Sequence, residues 1–434
     1  MTSNSLKLDL LGVGIGPFNL SVAALASSIP NLQTAFFDRK PQFSWHAGLG
    51  FRDSVMQTSY LKDMVTPVNP TSSLSFLNFL VTHGRFNDFL AGRFGAVSRI
   101  EFTEYMRWVT QNLPSCHFDN GVTRIDHDGQ QFVVETARGQ QIRSAAITIG
   151  TGQAPRIPKD APLGQNCFHG SEYLHHRDHL KGKRIVVVGG GQTGAEIVLD
   201  LMDGTSNPTD LVWLSRRSAF WHLQEGSLVD QIFTPAYRDH YRNLSPTDQV
   251  TTVAEQKFSS DGLTPETADA IYKALYRFKH LNQTAPVSLR PGREVIEVMP
   301  TTGGYRVSAR SDLDVVEETF ADVVILATGF RPHIPDCLAP LQERLEVEPN
   351  GSLVLDENYR VIWDGPETTP IYALNHGRAS HGIVDPQLSL AAWRAGKILE
   401  DATGQRLFDG LHNSPGSMID WGMIDTPVIA RKSA

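Results

Sequence analysis

Leu8-Asp9-Leu10-Leu11-Gly12-Val13-Gly14-Ile15-Gly16-Pro17-Phe18-Asn19 is the stretch that decides the fold. Its apolar run reads as a buried parallel strand that breaks into a glycine turn, with a helix expected over residues 20–26. Strand, turn and helix in that order are the context a dinucleotide fingerprint requires. Gly12, Gly14 and Gly16 let the backbone approach a pyrophosphate, and the helix N-terminus offers amide N–H groups and a positive dipole end to the anion. A second strand, Thr34-Ala35-Phe36-Phe37, ends in Asp38, where an acid can take a ribose hydroxyl. Pro17 stands where the general G-x-G-x-x-G pattern has its third glycine. Taken alone, the stretch is also compatible with an ordinary glycine-rich turn of an α/β protein.

The pattern recurs in mid-chain. Arg184-Ile185-Val186-Val187-Val188 reads as a strand, Gly189-Gly190-Gly191-Gln192-Thr193-Gly194 is a complete G-x-G-x-x-G, and residues 195–202 read as its helix. The next strand, Leu211-Val212-Trp213-Leu214, ends in Ser215-Arg216-Arg217. An acid there would accept the 2′-hydroxyl of NAD, whereas arginine suits the 2′-phosphate of NADP. Strands expected over 132–136, 145–149, 305–309 and 321–326 complete the sheets, and Gly150-Thr151-Gly152 is echoed by Ala327-Thr328-Gly329. From Arg217 to about Asn282 the chain reads as helical material covering a cleft, with a helix over 268–278, and a last helix is expected over 390–399. The expected fold is α/β, with two Rossmann-like dinucleotide-binding domains and a smaller, mainly helical substrate region.

A chain of 434 residues has room for two or three domains. The net charge of -8 argues against nucleic acid as a partner and suits cationic small molecules. Cys116, Cys167 and Cys337 are far apart, so neither a disulfide framework nor a metal site is expected. No basic segment with an apolar run precedes the first strand and no run is long enough to span a bilayer, so a cytoplasmic protein is expected.

Some residues stand out chemically. Lys62 sits among apolar neighbours, where an ammonium needs an anionic partner, either Asp63, another acid or a ligand. Asp230 interrupts an apolar run and is either a helix surface position or a cation ligand. Trp45 and His46 follow the first nucleotide strand and read as packing residues near it, while Phe102, Tyr105, Met106 and Val109 recur at helical spacing and read as core.

Together these residues resemble the flavin-dependent N-hydroxylating monooxygenases of hydroxamate siderophore pathways, specifically the bacterial lysine and diamine enzymes, from about Asp9 to Leu407. The likeness rests on Gly12 to Asn19 with its proline, Phe43-Ser44-Trp45-His46, Gln57 to Val65, Gly189 to Gln192, Ala327-Thr328-Gly329-Phe330 and His381 to Ser389. The resemblance implies FAD on the first fingerprint, with Gly12, Gly14, Gly16, Pro17, Asp38, Trp45, His46, Gln57, Gln387 and Leu388 touching or flanking it. It implies NADPH on the second, held by Gly189, Gly190, Gly191, Gln192, Thr193, Ser215, Arg216 and Arg217. Residues 1–165 would be the first part of the FAD domain, and 166–325 the NADPH domain with its substrate-covering segment at about 220–285. Residues 326–434 would return to the FAD domain and add C-terminal substrate-region helices. A homo-oligomer, dimer or tetramer, is expected.

The implied chemistry is reduction of FAD by NADPH, formation of a C4a-hydroperoxyflavin with O₂, and attack on it by a neutral aliphatic amine. In ornithine enzymes the lysine matching Lys62 meets the substrate carboxylate and a serine matching Ser389 lies near the substrate. There asparagines match Asp230 and Ser259, a difference that argues against ornithine. Lys62 favours a carboxylate, Asp230 an ammonium, and Gln57 to Thr71 looks more like the diamine members. A linear diamine, cadaverine or putrescine, is therefore expected, with L-lysine as the alternative. No catalytic base stands out. A disulfide reductase would need a redox cysteine pair, and a Baeyer–Villiger-type enzyme a different motif after its second fingerprint. A non-catalytic dinucleotide sensor would need neither stable FAD nor NADPH oxidation.

Overall fold

The computed structural model describes residues 7–202, 206–282, 287–412 and 417–422. Strand Lys7–Val13 pairs in parallel with Thr34–Phe37 on one side and Gln141–Ile149 on the other. Gln141–Ile149 divides its far edge: Gln141 to Ser144 pair antiparallel with Phe132–Thr136, and Ile147 to Ile149 pair in parallel with Ile371–Ala373. The chain thus leaves this seven-stranded sheet, builds a second, and returns after residue 370. The second sheet has five parallel strands in the order Val287–Arg290, Asp210–Leu214, Arg184–Val188, Val323–Leu326, Cys167–His169. Its central strands are buried along almost their whole length, which is why they read as unbroken apolar runs rather than alternating ones.

Proline sets where several helices begin. The first nucleotide helix spans Pro17–Ala26, starting three residues before the expected position. Proline is tolerated there because its missing N–H is one the helix cannot bond internally. The same device recurs at Pro235–Arg242, Pro246–Glu255 and Pro265–Arg277, whose preceding Thr234, Ser245 and Thr264 side chains accept from Tyr237, Asp248 and Thr267 N–H. Pro235 and Pro246 are therefore helix starts.

One expectation is corrected. Residues 321–326 are not one strand: Val316–Ala321 ends a three-stranded antiparallel sheet with Arg293–Thr301 and Gly304–Ser311, and Val323–Leu326 belongs to the parallel sheet. Asp322 makes the break by accepting Arg184 N–H (2.8 Å) and pairing with its guanidinium (2.7 Å). This antiparallel layer was not anticipated. Helix Ala391–Thr403 packs beside Pro17–Ala26 in the core of the first sheet. Residues 413–416 and 423–434 of the C-terminal segment, 326–434, lie outside the described residues. No helix among the described residues is long and apolar enough to cross a membrane.

Candidate active site

The first nucleotide turn is braced from below. Gly14 has φ +83°, and a Cβ there would lie 2.8 Å from the Gly150 carbonyl, so the turn requires glycine. A Cβ on Gly16 would meet only that carbonyl, at 3.6 Å, which leaves the helix N-terminus open to a pyrophosphate. Buried Asn19 pins the turn: its amide donates to the Val13 and Gly14 carbonyls (3.1 and 2.8 Å), and its oxygen accepts from Thr148 Oγ1 (2.8 Å). Asp38 ends its strand as expected and is buried. Its carboxylate accepts Ile15 and Lys40 N–H (2.8 and 2.9 Å), tying the acid to the turn it serves. His46 has φ +48° and its ring faces Trp45 and Phe330. His46 keeps an exposed surface, yet burial of its ring by the surrounding protein, then Arg99 and Lys40, pushes its imidazole down to about 4, so it is neutral at pH 7.

The second turn has a similar build. Gly189 has φ +125° and a Cβ would fall 2.0 Å from the Ala327 carbonyl, whereas a Cβ on Gly191 would meet nothing within 4 Å. The space before helix Gln192–Met202 is therefore free for a phosphate group. Thr193 is half-buried in its first turn. The Gln192 side chain is committed elsewhere: its oxygen accepts Thr264 N–H (2.9 Å) and its amide donates to Thr267 Oγ1 (3.1 Å) and Glu196 (3.2 Å). Ser215 is buried beneath Gly190 and its hydroxyl accepts Arg217 N–H. Arg217 points inward, donating to the Asp261 and Gly190 carbonyls (2.7 and 3.3 Å); Arg216 is exposed.

Beside the second turn lies a cavity of about 1050 Å³, bordered by Gln57, Thr58 and Ser59 on one side and by Gln192, Glu225 and Glu266 on the other. Thr58 Oγ1 is 3.5 Å from Ser389 Oγ, so the segment 387–389, with Gln387 and Leu388 half-buried, meets the segment carrying Gln57. Lys62 follows in the same loop. Asp63 is not its partner: the buried Asp63 carboxylate accepts Val65 N–H (2.9 Å), Thr66 N–H (2.6 Å), Phe76 N–H (2.7 Å) and Thr66 Oγ1 (2.7 Å). Among the described residues no carboxylate lies within 4 Å of Lys62. Burial lowers the Lys62 pKa, and the charge of Asp230, exposed in the turn Val229–Phe233, raises it. Ser259 stands on another turn, Gln256–Ser259, and Arg217 links the Asp261 carbonyl just beyond it to Gly190 of the second fingerprint. Arg99 joins the two units, its guanidinium meeting Glu196 of the second nucleotide helix (3.1 and 3.3 Å) and the Leu49 carbonyl (2.9 Å).

Residues 7–332 match the family model of L-lysine 6-monooxygenase/L-ornithine 5-monooxygenase. The chain belongs to that family. It is 38% identical over 421 residues to the L-lysine N6-monooxygenase of Escherichia coli, covering 96% of this chain and 98% of that one. Its fold is similar to that of the FAD-bound cadaverine monooxygenase of the desferrioxamine pathway from Erwinia amylovora, with TM-score 0.86 at 27% identity over 93% and 95% of the chains. It is equally close to the ornithine N-hydroxylase of Kutzneria sp. 744 with reduced FAD, NADP⁺ and L-ornithine, with TM-score 0.85 at 28% identity over 92% and 99%. The protein is an NADPH-dependent flavin N-monooxygenase that uses FAD and O₂. Both open glycine cradles suit dinucleotides.

Asn19, Thr58 and the Arg99–Glu196 pair were not singled out from sequence. Asn19 lies inside the fingerprint stretch and could have been found there. The others act through contacts between distant segments and leave no local signal.

Proposed function

We propose that this enzyme hydroxylates the side-chain amine of L-lysine, in the service of hydroxamate siderophore synthesis. The overall reaction is R–NH₂ + O₂ + NADPH + H⁺ → R–NHOH + H₂O + NADP⁺. Bound FAD supplies the path by which electrons from NADPH reach O₂, so that one oxygen atom goes to the amine nitrogen and the other to water. In this reading Gly12 to Pro17 and Asp38 hold the adenosine and pyrophosphate of FAD, and Trp45, His46, Gln57, Gln387 and Leu388 flank its ring. The backbone of Gly189 to Thr193, with Arg216, holds NADPH. Residues 1–165 and 326–434 then form the FAD domain around the NADPH domain of 166–325.

The observation that carries the substrate is Lys62. It is half-buried, its sequence neighbour Asp63 is fully used, and the acid whose charge reaches it is Asp230. A half-buried ammonium within reach of the Asp230 charge suits a zwitterionic α-amino acid head, carboxylate toward Lys62 and ammonium toward Asp230. A diamine would gain from Asp230 but meet repulsion from Lys62. At an effective dielectric of about 20 and roughly 5 Å, that repulsion is about 3 kcal/mol. A free alkylammonium has a pKa of about 10.4, and the enclosure that lowers the Lys62 pKa would also favour the neutral, nucleophilic form of a bound amine.

A specific observation favours the diamine as a second reading. Burial raises the Glu225 pKa, and the neighbouring charges of Glu266 and Asp230 raise it further, so three carboxylates stand close enough here to act on one another and would welcome a cation. Hydroxylamine formation from lysine, cadaverine, putrescine and ornithine, measured side by side, decides between them. Lysine should give the highest kcat/KM; a higher value for either diamine overturns the proposal.

A further inference from the structure

Four basic side chains gather at the end of strand Asp210–Leu214, beyond the residues that the glycine pattern marks. Arg216 and Arg217 follow the strand, Lys257 stands on the turn Gln256–Ser259, and Arg378 opens the short helix Arg378–His381. The acid among them is Asp261, whose carboxylate is engaged by Arg378 (3.1 Å). Arg217 is engaged too, by the Asp261 and Gly190 carbonyls, with its guanidinium over the Phe258 ring (5.4 Å). Exposed Arg216 and half-buried Lys257 have no carboxylate within 4 Å among the described residues. Burial lowers the Lys257 pKa, and Arg217, Arg216 and Arg378 lower it further against the pull of Asp261, so the ammonium is held at a cost. A bound dianion would relieve that cost.

The turn that carries Lys257 is fixed on both sides. The Lys257 carbonyl accepts Asp261 N–H (2.9 Å), and Arg217 links the Asp261 carbonyl to the second glycine loop. Gln224 N–H donates to the Phe258 carbonyl (2.9 Å) and Leu223 N–H to the Leu263 carbonyl (2.7 Å), which links the turn to the segment leading to Asp230. A Cβ on Gly262 would lie 2.5 Å from Leu223 N, so the two strands of this link run in close contact.

We propose that Lys257, together with Arg216, binds the 2′-phosphate of NADPH, and so fastens the turn bearing Ser259 to the bound dinucleotide. The proposal rests on the reading that the second fingerprint takes NADPH. A lysine contributed from the substrate-covering segment makes cofactor selectivity and the order of that segment parts of one contact.

Calorimetric binding of 2′,5′-ADP and 5′-ADP to the FAD-loaded protein tests it without turnover. Lys257→Ala should weaken 2′,5′-ADP about tenfold, the scale of one charge-assisted contact, and leave 5′-ADP unchanged, with Lys257→Arg restoring most of the loss. In hydrogen exchange, 2′,5′-ADP but not 5′-ADP should protect residues 256–261 of the wild-type protein. If Arg216→Ala weakens 2′,5′-ADP while Lys257→Ala does not, the Lys257 assignment is overturned and the NADPH reading stands. If wild-type protein binds the two nucleotides equally, the NADPH reading fails and takes the proposal with it. Absence of protection at 256–261 overturns the link to that turn.

Discussion

Replacing Asp63 by asparagine tests the claim that this acid builds the substrate loop instead of neutralising Lys62. The native carboxylate accepts two backbone N–H groups on one oxygen, from Val65 (2.9 Å) and Thr66 (2.6 Å). Its other oxygen accepts Phe76 N–H (2.7 Å) and Thr66 Oγ1 (2.7 Å). An asparagine can keep the first pair with its amide oxygen. Its NH₂ group then faces Phe76 N–H donor to donor, while the Thr66 hydroxyl can turn round and accept. One backbone donor is left unpaired in a buried site, and one amide hydrogen with it, at a cost of about 2–4 kcal/mol. For a unit of this size that corresponds to a fall of roughly 5–15 °C in the unfolding midpoint. Thermal unfolding of the FAD-loaded protein, followed by release of flavin fluorescence, reads it directly. The lysine KM should rise because Lys62 rides on the same loop, with NADPH binding unaffected. An Asp63→Asn protein as stable as wild type, but with altered binding of lysine, would refute the reasoning and make Asp63 the partner of Lys62.

Two further outcomes follow from the charges. The kcat/KM for lysine should climb from acid to mildly alkaline pH as the substrate amine loses its proton. It should then fall as Lys62, whose pKa burial lowers, loses the charge that holds the carboxylate; Lys62→Arg, always charged, should remove the fall. A wild-type profile that stays flat on the alkaline side contradicts that role. Glu196→Gln should slow anaerobic reduction of the flavin by NADPH several-fold, since it weakens the contact of Arg99 that sets one unit against the other, and loss of NADPH affinity alone would count against this.

The two strand–turn–helix units were legible because their signals are local: apolar runs, glycines at positive φ and short connections lie within one stretch of chain. The end of the second nucleotide strand was legible only in part. Ser215, Arg216 and Arg217 read alike from sequence, yet one is buried, one is exposed and one bonds inward to Gly190 and Asp261. Asp63 was offered as a partner for Lys62 because the two are adjacent, but adjacent side chains in a loop need not face each other, and donors from Val65, Thr66 and Phe76 claim it. The antiparallel sheet of residues 293–321 was mostly missed because its exposed strands carry many charges and lack an apolar run. Asp322, which divides Val316–Ala321 from Val323–Leu326, is marked only by a long-range bond to Arg184.

The central claim is that the cleft reads an amino acid head through Lys62 and Asp230. The ratio of kcat/KM for lysine to that for cadaverine, compared between wild type and Lys62→Met, tests it most directly. Removing the ammonium should cost lysine its carboxylate partner and relieve the diamine of repulsion. The ratio should then fall at least about a hundredfold, since either effect alone is worth roughly 3 kcal/mol. An unchanged ratio would contradict the account.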